Sequence, residues 1–150
     1  MTRIKVEGLR EVERALGELK KATGRNVLRR VALARLQPIA DDMAARAPNL
    51  FGDLKESVTV TTKRPRRHRK QSEVEAYAGP GRMPQAHLQE FGTQNHPPQP
   101  FARPAWDTGK GDLLPGIGED LMAEITKAAE RQAKKQAPNG RQGVTRWKSN

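Results

Sequence analysis

The chain has 150 residues, which suits one domain and hardly two, and its formal net charge is +11. Only 35% of the residues are hydrophobic, so we expect a small core with polar excursions that order against partners. The sequence contains no cysteine, which excludes disulfides and thiolate metal sites. The charged first residues do not resemble a signal peptide, and no apolar run approaches the ~20 residues that span a bilayer. We therefore expect a protein that is not secreted and has no membrane partner.

The N-terminal region predicts a short strand and then a helix. Apolar and charged residues alternate over 3–7, which is typical of a strand. Apolar residues then recur at spacings of three and four over 9–21, which predicts an amphipathic helix. We expect this helix to stop at Gly24, because glycine commonly ends helices.

A second helical pattern runs over residues 25–46 and contains Pro38. Proline removes one backbone donor and crowds the preceding turn, so we expect a kink or two helices that meet there. The residue before Pro48 avoids the α region, which predicts the end of the helix, and a turn over 49–53 follows.

Two β-rich segments at 55–63 and 73–79 flank a strongly basic stretch. This arrangement predicts a β-hairpin with an extended basic tip at about 63–72. The Gly79-Pro80-Gly81 sequence closes it.

The remaining chain predicts two helices separated by an irregular segment. A short helix fits residues 86–91, whereas residues 93–104 contain too many prolines for a regular element. A last helix is predicted at 117–136. The basic segment 137–150 lacks apolar periodicity, so we expect it to be mobile in the isolated chain.

These elements predict an α+β fold, in which a small antiparallel sheet with a protruding β-hairpin packs against two or three helices. Residues 1–136 would form the domain, and residues 137–150 a basic C-terminal tail.

The most informative motif lies around the proline-rich segment. Glu90-Phe91-Gly92-Thr93 is followed by Pro100-Phe101-Ala102-Arg103-Pro104-Ala105. Gly92 suits a positive φ angle after a helical turn, and we expect both Phe91 and Phe101 to anchor the irregular segment in the core. The residues alone leave three interpretations open. A packed turn is favoured, followed by an interface loop and then by a catalytic loop.

This pair of motifs resembles the "EFGT … PFLRPA" signature of the siphophage neck or tail-completion (head–tail joining) protein family. Upstream, Ala47-Pro48 followed by the segment 52–58 is similar to the "AP–TG–L–SI" segment of the same family. The resemblance extends over about residues 3–130.

The resemblance implies a structural virion protein without catalysis or cofactor, similar in plan to tail terminators. Such a subunit would form a homo-oligomeric ring, with six copies favoured and twelve as the alternative. Its partners would be the head-closure or connector, tail-terminator and tail-tube proteins. It would be made in the bacterial cytoplasm and lie at the head–tail junction or upper tail of the virion. The residues implied in subunit contacts are Glu90, Phe91, Gly92, Thr93, Pro100, Phe101, Arg103 and Pro104.

Two basic segments, the hairpin tip and the C-terminal region, lie outside that signature. Each is either a solvated charge run or an arm that contacts acidic neighbours or channel DNA in a salt-sensitive, sequence-independent way. The candidate contact residues are Arg64, Arg66, Arg67, Arg69, Lys70, Lys134, Lys135, Arg141 and Arg146. The charge also leaves an alternative function open, a basic nucleic-acid-binding module, although no recognition helix or stacking platform is evident.

The sequence offers little for catalysis. His68, His87 and His96 do not have metal-ligand spacing, and no glycine-rich segment matches a phosphate-binding loop. We therefore predict that the chain is not an enzyme and has no catalytic, cofactor or metal site.

Overall fold

Five helices and one β-hairpin make up the part of the chain that the computed structural model describes, residues 9–19, 21–48 and 53–136. The elements are α1 (Leu9–Glu18), α2 (Lys21–Arg46), α3 (Asp53–Ser57), β1 (Val58–Thr61), β2 (Tyr77–Pro80), α4 (Pro84–Phe91) and α5 (Ala102–Gln136). The predicted strand at 3–7, most of the turn at 49–53 and the tail at 137–150 lie outside the described residues.

The β-hairpin confirms the predicted α+β class. Strands β1 and β2 are antiparallel, with Val58 opposite Pro80 and Thr61 opposite Tyr77, and both contact α2. Strand β1 is shorter than predicted at both ends, whereas β2 begins four residues later than predicted and ends one residue later. Residues 53–57 form a helical turn that buries Leu54 instead of extending β1. Before β2, the chain folds back on itself, so residues 73–76 do not pair across the hairpin.

Helix α2 is one continuous helix, which corrects the predicted stop at Gly24 and excludes two separate helices that meet at Pro38. Gly24 does not end α1 but lies buried inside α2, where a Cβ atom would meet the Leu16 carbonyl oxygen of α1 at 3.6 Å. The small residue lets the two helices approach closely. Pro38 does not divide the pattern into two helices either. It is exposed, while Ile39 and Met43 on the adjoining face of the helix are buried, so packing of that face offsets the lost backbone bond.

Helix α5 begins at Ala102, well before the predicted start at 117. Glycines and Pro115 obscure its pattern in the sequence. Pro104 lies in the first turn, where a backbone N–H has no partner within the helix and its loss costs little. Only the part of the predicted irregular segment that precedes Ala102 is non-helical.

Two apolar clusters form the core, and α2 and α5 contribute to both. The cluster beneath the hairpin contains Leu36, Ile39, Met43, Ala47, Leu54, Ala86, Phe101 and Ala105. The cluster beside α1 contains Val12, Leu19, Val27, Val31, Leu121, Ile125 and Ala128. The hairpin and α1 therefore both pack against the α2–α5 pair.

Two ion pairs cross the same helix interface at its edge. The Arg35 guanidinium donates to both Asp120 carboxylate oxygens at 2.5 and 2.8 Å, and Arg30 lies 3.1 Å from Glu124. The bonds from Arg35 lower the pKa of Asp120 and raise that of Arg35. Since these groups are substantially exposed, we assign the pairs mainly to the register between the helices.

The close contact between α2 and α5 at Gly109 gives a stability prediction. A Cβ atom on Gly109 would lie 2.5 Å from Cγ1 of the buried Ile39. We expect Gly109→Ala to reduce the free energy of unfolding by about 1–2 kcal/mol, because overpacking exceeds the gain in helix propensity. Urea unfolding measures the change.

Gly111→Ala is the matched control in the same helix. No atom lies within 4 Å of a Cβ placed on Gly111. This substitution is expected to be neutral or to stabilise by up to about 1 kcal/mol. Equal effects of the two alanines would contradict the proposed close contact.

Candidate interface surfaces

The Glu90 side chain at the end of α4 caps the start of α5. Its carboxylate accepts hydrogen bonds from the backbone N–H groups of Phe101, Ala102 and Arg103 at 2.8, 3.0 and 2.9 Å. The first N–H groups of a helix have no partner within the helix, and the positive end of the helix dipole attracts a carboxylate. Glu90 lies in α4 and thus fixes the start of α5 across the loop that connects the two helices.

The same contacts set the ionisation of Glu90. Partial burial disfavours the charged carboxylate, but the three N–H donors and the Arg103 charge outweigh burial and lower the pKa of Glu90 below its ordinary 4.5. The carboxylate is consequently charged at neutral pH and acts as a permanent acceptor.

Gly92 turns the chain away from α4 immediately after Glu90. Its φ of 74° lies in the region that favours glycine, and its N–H donates to the Leu88 carbonyl at 2.8 Å. A Cβ atom here would meet the Pro98 nitrogen at 2.8 Å. Thr93 and His96 then pair through two backbone bonds. The predicted positive φ of Gly92 is confirmed. Glycine is required both by this φ angle and by the lack of room for a Cβ atom beside Pro98.

The two phenylalanines of the motif differ in burial. Phe101 is only 1% exposed and lies in the core cluster beneath the hairpin, which confirms its predicted role as an anchor. Phe91 is 57% exposed, so its predicted burial is wrong. It follows Glu90, whose side chain points towards α5, and the helical rotation of about 100° per residue turns Phe91 outwards.

An exposed surface results, which we call the clamp patch, formed by Leu88, Phe91, Pro98, Pro100 and Arg103. Leu88 is 49% exposed, and the Arg103 guanidinium lies over the Phe91 ring, 5.9 Å from its centre. A groove of about 460 Å³ runs between Phe91 and the two prolines. An exposed apolar patch with a cation beside it is typical of a protein-binding surface.

The eight residues suggested by the sequence thus divide into two groups. Glu90, Gly92, Phe101 and Pro104 are buried or half-buried in the turn and at the start of α5, and Phe91, Thr93, Pro100 and Arg103 are exposed and available to a neighbour. Half of the motif residues therefore position the loop and α5, and only the other half can contribute to an exposed interface.

The basic hairpin tip forms a second exposed surface. All residues of 63–70 are exposed, and so are Lys134 and Lys135 in the last turn of α5. Arg141 and Arg146 lie outside the described residues.

A network around Glu75 holds the hairpin loop in shape. Its carboxylate accepts hydrogen bonds from the N–H groups of Gln71 and Ser72 and from the Tyr77 hydroxyl, at 2.7, 3.2 and 2.8 Å. The His68 ring packs edge-on against Tyr77, with centres 5.7 Å apart. The bonds from Gln71, Tyr77 and Ser72 lower the pKa of Glu75 to about 2, while burial and the bond to Glu75 raise that of Tyr77. The loop is therefore an ordered feature.

A third surface is absent from the sequence prediction. Trp106 is 43% exposed and borders a groove of about 400 Å³ formed with Tyr77, Ala78, Leu113 and Ile117. The spacing of 106, 113 and 117 is helical, but the prolines and glycines of this region hide the helix that creates the face.

Catalytic groups do not converge in the described residues. No group of three or more His, Cys, Asp or Glu side chains is arranged to hold a metal ion there. The ring of His87 packs on Phe91, and His96 Nδ1 lies 2.8 Å from the Pro97 carbonyl oxygen. Within the same ranges, no helix combines the length and apolarity required to span a membrane.

Comparison with known protein families identifies the chain. The model of the HK97-gp10-like family, described as "Bacteriophage HK97-gp10, putative tail-component", matches residues 10–92, more than half of the sequence. The chain belongs to this family. Its expected membership in a phage tail or neck family is thereby confirmed, and a structural role in the virion tail follows.

The HK97-gp10-like segment runs from α1 to the turn at Gly92. It includes Glu90 and Phe91 of the motif and ends before Phe101 and α5. The Pro100–Ala105 half of the signature therefore remains a resemblance. No curated protein and no solved structure matches the chain significantly.

Replacing Glu90 tests the helix cap. We expect Glu90→Gln to reduce the free energy of unfolding at pH 7 by about 1–2 kcal/mol, because a neutral amide is a weaker acceptor for three N–H donors. The folded-state pKa is below 4.5. The stabilisation by Glu90 is thus complete above 4.5 and lost as the pH falls through the lower, folded-state pKa.

Urea unfolding over a pH series measures this difference between the wild type and the variant. Glu130→Gln is the control, since it removes the same charge from an exposed position on α5 with no side-chain hydrogen bond in the described structure. A difference that did not shrink below pH 4.5 would contradict the role of the Glu90 charge.

Glu75 gives a second pH-dependent prediction. We expect its carboxyl group to titrate near pH 2, which ¹³C NMR of the side chain measures. Its lowered pKa means that the network persists at mildly acidic pH and is lost only as the pH approaches that value.

Glu75→Gln should loosen the loop and accelerate trypsin cleavage between residues 63 and 70. Glu56→Gln, at the opposite end of the hairpin, should leave the cleavage rate unchanged.

Proposed function

We propose that the chain is a ring-forming subunit of the phage neck, a tail-completion or head–tail joining protein that connects the capsid connector to the tail tube. Membership of a phage tail family supports the virion role. The observation that carries the finer proposal is the clamp patch, an apolar surface with a cation that is held rigidly by the Glu90 cap.

A closed ring needs two different surfaces on each subunit, so that one copy docks onto the next. The clamp patch supplies one such surface, centred on Phe91 and Arg103. The groove beside Trp106 supplies a second apolar surface, formed by α2, β2 and α5. We propose that these two surfaces meet between neighbouring copies, with six copies favoured over twelve.

In the virion, this ring would lie at the head–tail junction or the upper tail. Its faces would contact the head-closure or connector proteins above and the tail-terminator and tail-tube proteins below. The chain would act by binding and positioning these proteins and not as an enzyme, consistent with the structural character of its family.

Electron microscopy of purified particles and of the isolated protein is the decisive test. We expect a ring at the head–tail junction, and its symmetry gives the copy number. Phe91→Gln should abolish or strongly reduce the ring without unfolding the chain, because the side chain is mostly exposed.

Met122→Gln is the matched control, a second exposed apolar residue that lies outside both proposed contacts and is 39% exposed. It should assemble normally. Absence of the protein from particles, together with coating of added DNA, would replace the neck proposal with the nucleic-acid-binding alternative.

A further inference from the structure

The loop between β1 and β2 carries an unusual density of unneutralised positive charge. Within the described chain, no carboxylate lies within ion-pair distance of its cations. The six cationic residues are Lys63, Arg64, Arg66, Arg67, Arg69 and Lys70.

The acidic residues of the same loop are occupied elsewhere. Glu73 lies 3.1 Å from Lys21 at the start of α2, and this contact lowers the pKa of Glu73. Glu75 accepts hydrogen bonds from Gln71, Ser72 and Tyr77. Both carboxylates are therefore bonded to groups other than the six loop cations, and residues 63–70 themselves include no acidic side chain.

The cationic surface continues from the hairpin onto α2. Arg29 lines the same shallow groove, of about 190 Å³, as Arg64 and Lys70, and the already bonded Glu73 and Glu75 lie in it as well. We call the six loop cations together with Arg29 the tip surface. It combines residues that are more than thirty positions apart in the chain, so the fold concentrates charge beyond the basic run of the sequence.

We propose that the tip surface binds the phosphate backbone of duplex DNA without sequence preference. Guanidinium groups donate to phosphate oxygens in a matching planar geometry, and four of the six loop cations are arginines. This assignment goes beyond the neck proposal and stands independently of it, because it requires only the folded chain.

The composition of the loop favours DNA over an acidic protein as the partner. Protein interfaces have apolar and aromatic cores, whereas residues 63–73 contain no apolar side chain other than Pro65. The rings of His68 and Tyr77 pack on each other, which leaves contacts with phosphates rather than base stacking as the mode of binding.

Fluorescence anisotropy with a labelled duplex of random sequence tests the assignment on the full chain. The tip variant replaces Arg64, Arg66, Arg67 and Lys70 with glutamine. We expect its affinity to fall at least about tenfold, and the slope of log affinity against log salt to weaken by roughly 3–4 between about 50 and 200 mM salt.

The control variant removes the same four charges from exposed positions elsewhere, by replacing Arg10, Arg14, Lys55 and Arg82 with glutamine. It should retain most of the wild-type affinity and slope. Circular dichroism and thermal unfolding establish that both variants are folded, which the exposure of all eight positions favours.

Equal losses in the two variants would overturn the proposal, because the binding would then follow net charge and not the tip surface. Wild-type DNA affinity in the tip variant would also overturn it, and loss of that variant from particles would then indicate an acidic protein partner. Both proposals are supported if the wild-type protein forms the ring and the tip variant loses its affinity for DNA. Normal tip-dependent DNA binding without a ring would refute the neck proposal alone.

Discussion

The fold depends on one carboxylate that joins two helices across a loop. Glu90 binds the first N–H groups of α5 and thereby determines where that helix begins. Helices α2 and α5 together supply half of the cluster beneath the hairpin and most of the cluster beside α1, and the hairpin contacts α2. Helix starts usually find their acceptor within the preceding few residues. Here the acceptor lies more than ten residues earlier, so the cap also closes the loop and positions Phe91 at the surface.

Local sequence patterns predicted the elements that depend on local interactions. The alternation before and after the basic run identified the hairpin, and the apolar spacing identified the two N-terminal helices. Gly92 was correctly assigned a positive φ, because few other residues adopt that conformation after a helix. The pattern was misleading at Gly24, where close packing against α1 outweighs the low helix propensity of glycine.

The sequence did not reveal what depends on long-range contacts. The start of α5 was missed because Gly109 and Pro115 read as helix breakers, although Gly109 is the residue that admits Ile39 of α2. The sequence likewise gave equal weight to Phe91 and Phe101, since only the orientation fixed by Glu90 separates an exposed ring from a buried one. The Trp106 surface was not predicted either, because it lies on the first half of α5, which the local pattern did not identify as a helix.

The length of α5 has a mechanical consequence for any assembly that contains it. Its 35 residues span roughly 50 Å at 1.5 Å per residue, about the size of a small domain or more. The clamp patch is fixed at one end, and Lys134 and Lys135 lie at the other. A neighbour bound at the clamp patch and another bound at Lys134 and Lys135 would therefore contact the same helix at sites roughly 50 Å apart.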